Sequence, residues 1–146
     1  MDTVKDTEVA VGRTRYGSRL RRLAGTGLLA TVAAMAATTL GAASARALGV
    51  DFEVPDGGPT IPLAGFASVT GMFSVVGVVI AAALLRWSAH PARRFVQTAV
   101  TLTVLSLVPP VIAGADVATT ITLVGLHLVA AAVMIPSLAR SLRSPA

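Results

Sequence analysis

Four long stretches without a charged side chain divide this chain of 146 residues. They cover residues 23–45, 64–85, 95–115 and 117–139, and short polar connectors separate them. A helix rises 1.5 Å per residue, so about 20 apolar residues cross a hydrocarbon core ~30 Å thick. The pattern therefore predicts an all-α fold, a four-helix transmembrane bundle whose helices run up and down through the bilayer.

The composition agrees with an integral membrane protein in contact with the lipid bilayer. Hydrophobic residues make up 54% of the chain and charged residues 13%, whereas soluble domains carry about 25% charged residues. The net charge of +5 would indicate nucleic acid for a soluble protein. Here the arginines flank apolar stretches, so we predict no nucleic-acid partner. The chain contains no cysteine, which excludes disulfides and thiolate metal sites.

The distribution of basic residues predicts the orientation of the spans. Six lie before the first stretch, one in the first connector, three in the second, none in the third and two after the fourth. Because Lys and Arg concentrate in cytoplasmic loops, both termini and the second connector are predicted to be cytoplasmic, in a multi-pass protein of the plasma membrane. We expect residues 1–22 to be a basic disordered tail, residues 23–139 the membrane domain and residues 140–146 a second cytoplasmic tail.

A cleaved signal peptide is the alternative interpretation of the first stretch. Ala43, Ser44 and Ala45 form an A-x-A cleavage pattern after arginines and an apolar run. The run over residues 23–45 is longer than the usual apolar region of about 7–15 residues. Four retained spans are therefore favoured.

Small residues recur along the first two predicted helices. Every fourth residue of the first helix from position 33 to position 45 is small: Ala33, Ala37, Gly41 and Ala45. The second helix has two such pairs, Ala67 and Gly71 and then Gly77 and Ala81. Such stripes let helix backbones approach closely in lipid. We expect them to join the first helix to the second, with a homodimer face as the alternative.

The first connector is predicted to form a short extracytoplasmic hairpin-like loop. Asp51 and Glu53 alternate with apolar residues, as in a strand, and a turn-rich segment follows at residues 55–59. Asp51, Glu53 and Asp56 are candidate functional residues because grouped carboxylates bind hard cations. A solvated acidic loop is the favoured interpretation, so we predict neither a metal nor a cofactor.

A second set of candidates lies at the predicted cytoplasmic interface. Basic side chains there attract anionic lipid headgroups, and an aromatic ring in the second connector suits the membrane interface. These candidates are Arg21, Arg22, Arg86, Trp87, Arg93 and Arg94.

The last two predicted helices contain the remaining candidates. Pro109 and Pro110 remove backbone donors, so the third helix should bend or break in its outer third. His127 is the ionisable residue predicted at mid-membrane, about three turns along the fourth helix from Asp116 and on the same face. Intramembrane ionisable groups are functional candidates. The alternatives are a structural His127 bonded to the third helix and an Asp116 that caps its own helix.

Several motifs resemble a known family of small bacterial four-span membrane proteins, a domain of unknown function. The similarity covers roughly residues 23–143 and rests on five short motifs. They are Gly-Val-Asp-Phe-Glu-Val at 49–54, Ile-Pro-Leu at 61–63, Leu-Leu-Arg-Trp at 84–87, Leu-Ser-Leu-Val-Pro at 105–109 and Leu-His-Leu at 126–128. The resemblance implies the four-span fold and implies no activity.

Three functions remain open on the sequence. Because polar chemistry within the stretches is sparse, we favour a non-catalytic structural or accessory protein, or a small-ligand-binding bundle. A transporter or proton-coupled carrier that uses His127 is the second hypothesis. A membrane-embedded enzyme is the third, and it lacks a readable nucleophile and base.

Overall fold

The computed structural model contains five helices in chain order. It describes residues 2–53 and 58–144, with side chains from residue 12 onward. The helices are α1 (Asp2–Ala47), α2 (Leu63–Trp87), α3 (Pro91–Ser106), α4 (Val108–Ile112) and α5 (Val117–Arg143). Four segments are long and apolar enough to cross a membrane: 12–47, 63–87, 91–112 and 117–143. The all-α four-span fold predicted from the hydropathy pattern is confirmed.

The helices form a bundle in which α1 lies between α2 and α5. Helix α3 packs against α2 and α5 on the other side, and over the described residues its backbone stays away from that of α1. One buried cluster, formed by the middle of α1, the start of α3 and the end of α5, contains Leu23, Phe95 and Leu138. A second cluster, near the end of α1, contains Phe52 and Leu126. The bundle is therefore filled from both ends by apolar side chains.

The face of α1 that packs in the bundle differs from the predicted stripe. Its buried positions are Leu23, Gly27, Ala30, Thr31, Ala34, Thr38 and Ala42, whereas Ala33 is exposed. A Cβ atom on Gly27 would lie 2.7 Å from Val78 Cγ2, but one on Gly77 would meet nothing within 4 Å. The predicted α1–α2 contact exists, and Gly71 lies in it, since a Cβ there would lie 3.0 Å from Met35 Sδ, but Gly77 does not form it.

Helix α1 also begins earlier than we expected. Residues 12–22 continue the helix, where the sequence indicated a disordered tail. The side chains of this segment contact the rest of the bundle. Arg19 donates to the carbonyl oxygen of Leu142 at 3.1 Å, and the Tyr16 ring lies 5.8 Å from the Arg86 guanidinium. These contacts join Tyr16 and Arg19 of the extended helix to α2 and α5.

The third span is broken at Leu107, in agreement with the bend expected from the two prolines. Helix α3 ends at Ser106 and α4 begins at Val108. Pro109 and Pro110 cannot donate to the carbonyls one turn earlier, so the regular series of helical hydrogen bonds is interrupted before them. The Ser106 hydroxyl turns back and donates to the carbonyl of Thr103 at 2.7 Å.

The connector between α1 and α2 folds against the end of the bundle. Phe52 is fully buried, has a positive φ of 52°, and packs edge-to-face on Phe66 with ring centroids 5.0 Å apart. Glu53 and Thr60 form one antiparallel bridge. Arg46 donates to the carbonyl of Ile61. The hairpin-like loop is thus held by an aromatic anchor.

Candidate functional site

The two ends of the bundle carry opposite charge. Among the side chains that the structure describes, the carboxylates Asp51, Glu53 and Asp116 all lie at the end where α1 terminates and α5 begins. We call this the acidic end. The opposite end, called the basic end, contains arginines from four helices, α1, α2, α3 and α5. They are Arg13, Arg15, Arg19, Arg21, Arg22, Arg86, Arg93, Arg94, Arg140 and Arg143.

A cleft opens at the basic end where α1, the α2–α3 connection and the end of α5 meet. Its volume is about 570 Å³, and its cationic and imidazole side chains come from Arg19, His90, Arg93 and Arg143. Leu85, Val96 and Leu142 form apolar parts of its wall. We call this the basic cleft, and it is an open cleft at the surface of the bundle, not an enclosed cavity.

Arg19 is held at the edge of the basic cleft by the last turn of α5. Its Nη2 donates to the Leu142 carbonyl at 3.1 Å, which is one of the carbonyls left free at a helix C-terminus. Its Nε is buried and has no hydrogen-bond partner among the described residues. The guanidinium therefore retains unused donors beside the cleft.

The first turn of α3 contributes to the same cleft. Helix α3 begins with Pro91, and its N-cap residue His90 makes no side-chain capping bond. The His90 backbone N–H instead points to the Ser88 hydroxyl at 3.3 Å. An uncapped helix N-terminus presents N–H groups and the positive end of the helix dipole. Both the side chains and the backbone of the basic cleft favour an anion.

Trp87 lies next to the basic cleft at the end of α2 and is 78% exposed. The Arg86 guanidinium lies 5.9 Å from its ring and 5.8 Å from the Tyr16 ring. Exposed aromatic rings beside arginines are typical of the membrane interface. The placement of Trp87 at the membrane interface stays a prediction.

The structure places His127 in the middle of α5, where it is half-buried. Its Nδ1 lies 2.8 Å from the Leu123 carbonyl oxygen of its own helix. A carbonyl only accepts, so Nδ1 is the donor and Nε2 is left without a hydrogen-bond partner in the described chain. The hydroxyls of α3 do not bond to His127, since Thr103 and Ser106 donate to backbone carbonyls of their own helix. The expected polar link from His127 to α3 is therefore absent.

Asp116 is the N-cap of α5, and its side chain accepts from the Thr119 backbone N–H at 3.0 Å. Two groups hold the pKa of the Asp116 carboxyl below its ordinary value of 3.8. The Thr119 side chain is the larger cause, and the Thr119 backbone N–H is the second. The Thr119 hydroxyl meets no acceptor with hydrogen-bond geometry, so the N–H makes the defined bond. No hydrogen bond joins Asp116 to His127. Asp116 thus has the helix-capping geometry.

The remaining candidates lie in the connector after α1. Asp51 and Glu53 are exposed, and Asp56 lies outside the described residues. The part of the chain that the structure describes contains no group of three His, Cys, Asp or Glu side chains able to hold a metal ion. The exposed positions of Asp51 and Glu53 match a solvated loop.

Sequence reasoning named Arg93 but missed its neighbours in the basic cleft, Arg19, His90 and Arg143. The only local signal was His90 before Pro91, which marks a helix start without a good capping side chain. The contact of Arg19 with Leu142 joins positions 123 residues apart, so no local pattern predicts it.

These observations define the class of protein. Four apolar helices of spanning length, packed as one bundle, make this a multi-pass integral membrane protein. The chain belongs to a family of unknown function, DUF6069, which it matches over residues 18–144. No curated protein and no solved structure matches it. The resemblance to a four-span domain of unknown function is confirmed.

Proposed function

We propose that this protein is a non-catalytic membrane bundle that binds anionic lipid headgroups with the arginines of its basic end. The observation that carries this proposal is the separation of charge. The arginines of the basic end form no ion pair with any carboxylate whose side chain the structure describes. Each guanidinium keeps donors available for an external anion, and phosphate is the anion that a bilayer surface supplies.

Three arginines from different elements illustrate this arrangement. Arg22 on α1, Arg94 on α3 and Arg140 on α5 are all exposed at the basic end. Each basic side chain near an anionic surface contributes about 1 kcal/mol of attraction. We infer that this end faces the cytoplasmic leaflet, since the positive-inside rule assigns it there.

The test compares bilayers of different charge. The purified protein is placed in nanodiscs of phosphatidylcholine alone or with added phosphatidylglycerol, and thermal unfolding is followed by circular dichroism. We expect a higher Tm with phosphatidylglycerol, and a smaller increase at high salt because exposed charges are screened over about 10 Å at 0.1 M. Replacement of Arg21 and Arg22 with Gln should reduce the increase. Equal Tm values in both bilayers would refute the proposal.

A carrier function that uses His127 remains the second proposal, and the structure gives it less support. The imidazole bonds to its own helix, and the described spans contain no carboxylate to share its proton. A homodimer through the exposed small residues of α1 is likewise a prediction. Cross-linking of an Ala33→Cys variant tests the homodimer. Because the natural chain has no cysteine, no other thiol can form a disulfide between subunits.

A further inference from the structure

We propose that the basic cleft is a discrete site for one phosphate ester, the headgroup of an anionic phospholipid or a free phosphate compound. This inference rests on the proposed function and goes further. General attraction to anionic lipid spreads over the whole basic end, whereas a discrete site holds one phosphate between Arg19, Arg93 and Arg143.

The first argument is the chemistry of the side chains. The guanidinium is planar and presents paired N–H donors that match two phosphate oxygens. Three guanidinium groups from α1, α3 and α5 line one cleft. No carboxylate whose side chain the structure describes lies at this end. These three like charges repel one another, and a bound phosphate offsets that repulsion.

The second argument is the state of the donors around the cleft. Arg19 Nε is buried without a partner in the described chain, although buried polar atoms are nearly always hydrogen-bonded. The guanidinium is already fixed through Nη2, which donates to Leu142. The uncapped first turn of α3 opens into the same space through Pro91 and Ala92. Arg19 and the first turn of α3 therefore line the same cleft, and each carries N–H donors.

The third argument is the mixed character of the cleft wall. Leu85, Val96 and Leu142 lie alongside the arginines, and α2 and α3 continue from this wall into the membrane-spanning region. A phospholipid headgroup has a phosphate followed by apolar glycerol esters, in the same polar-to-apolar order. The cleft volume of about 570 Å³ exceeds what a lone phosphate needs. These features favour the lipid as the source of the phosphate.

The test is a binding titration of the full chain, delipidated in a maltoside detergent that contains no phosphate. Trp87 is the only tryptophan of the chain and precedes Ser88 of the cleft wall, so its fluorescence reports binding. One arm adds short-chain phosphatidylglycerol and the other adds inorganic phosphate. Native mass spectrometry counts the bound molecules. We expect saturable binding of one phosphatidylglycerol molecule per chain. If inorganic phosphate also binds saturably, the site accepts free phosphate compounds in addition to the lipid.

The decisive control uses two adjacent arginines. Arg93 lines the cleft, whereas its neighbour Arg94 does not. Loss of one charge-assisted hydrogen bond weakens binding by roughly tenfold or more. We expect this loss for Arg93→Gln and Arg19→Gln, and retention of the single bound molecule in Arg94→Gln. Arg93 is exposed, so its variant remains informative if Arg19→Gln fails to fold.

The outcomes separate this inference from the proposed function. Equal weakening in Arg93→Gln and Arg94→Gln, while phosphatidylglycerol still raises the Tm in nanodiscs, overturns the discrete site and leaves the general attraction intact. Absence of saturable binding in both arms also overturns the site. Loss of the nanodisc effect together with loss of binding overturns both proposals.

Discussion

Thr38 of α1 and Thr70 of α2 are joined by a hydrogen bond between their hydroxyl oxygens, 3.0 Å apart. The Thr38 hydroxyl also donates to the Ala34 carbonyl at 2.9 Å. Because a hydroxyl has one proton, Thr70 must be the donor in the bond between the helices. Thr38 is 2% exposed, so this polar link lies inside the α1–α2 contact.

We predict that Thr38→Val lowers the free energy of unfolding by about 0.5–1.5 kcal/mol, the usual size of an interhelical hydrogen bond in membranes. Unfolding in mixed dodecyl sulfate micelles measures the change. Thr122→Val is the matched control, because the Thr122 hydroxyl donates to the Ala118 carbonyl of its own helix. If the Thr38→Val and Thr70→Val effects add fully in the double variant, the two hydroxyls are not coupled.

Gly27 and Gly77 should respond differently to the same substitution. A Cβ on Gly27 would lie 2.7 Å from Val78 Cγ2, whereas Gly77 has open space around it. We expect Gly27→Leu to destabilise the bundle by about 1–3 kcal/mol through overpacking. Gly77→Leu gains the same helix propensity without the clash, so its Tm in detergent should be equal or higher. A larger loss at Gly77 would contradict the observed α1–α2 contact.

The pH dependence of Asp116 follows from its lowered pKa. The carboxyl of Asp116 binds its proton less readily in the folded state than in the unfolded state. The ionised carboxyl therefore stabilises the fold above the ordinary pKa of 3.8, and this stabilisation is lost as the pH falls through the folded pKa. Detergent unfolding from about pH 6 to pH 3 should show a small loss of stability. Asp116→Asn keeps a capping oxygen without the titration, so its profile should be flatter in this window.

The orientation of the bundle is tested by reporter fusions. Fusions after Gly58, in the connector that follows α1, should report the outside. Fusions after Ala146 should report the cytoplasm, because the arginines concentrate at the basic end. Alkaline phosphatase and a fluorescent protein give opposite signals at the two positions. A cytoplasmic signal at Gly58 would reverse or remove the proposed topology.

Substitution of His127 tests whether its imidazole has a structural or a functional role. Its ring bonds to the Leu123 carbonyl of its own helix, so His127→Leu removes no hydrogen bond between helices. We expect a change in unfolding free energy of less than about 1 kcal/mol. Proton flux into proteoliposomes, followed with an entrapped pH dye, should be equal for the wild type and the variant. A flux present in the wild type and lost in a folded His127→Leu protein would establish the carrier function.

The sequence by itself determined the number and the approximate positions of the spans, except for the start of α1. Hydropathy is a local property, and the ~30 Å thickness of the hydrocarbon core sets the length of each segment. The bend before Pro109 and the capping role of Asp116 were also predictable, since a missing N–H and a side-chain acceptor act within one turn.

Only the tertiary structure decided which face of each helix is buried. Lipid is as apolar as the bundle interior, so no polar face marks the outside of a membrane helix. For that reason the sequence predicted the stripe that begins at Ala33 as the face of α1 in contact with α2. In the structure, Gly27 and Thr38 of α1 form this contact. The basic cleft depends on Arg19 meeting Leu142 across 123 positions. Such a meeting is set by how the helices pack, which the order of residues along one segment does not specify.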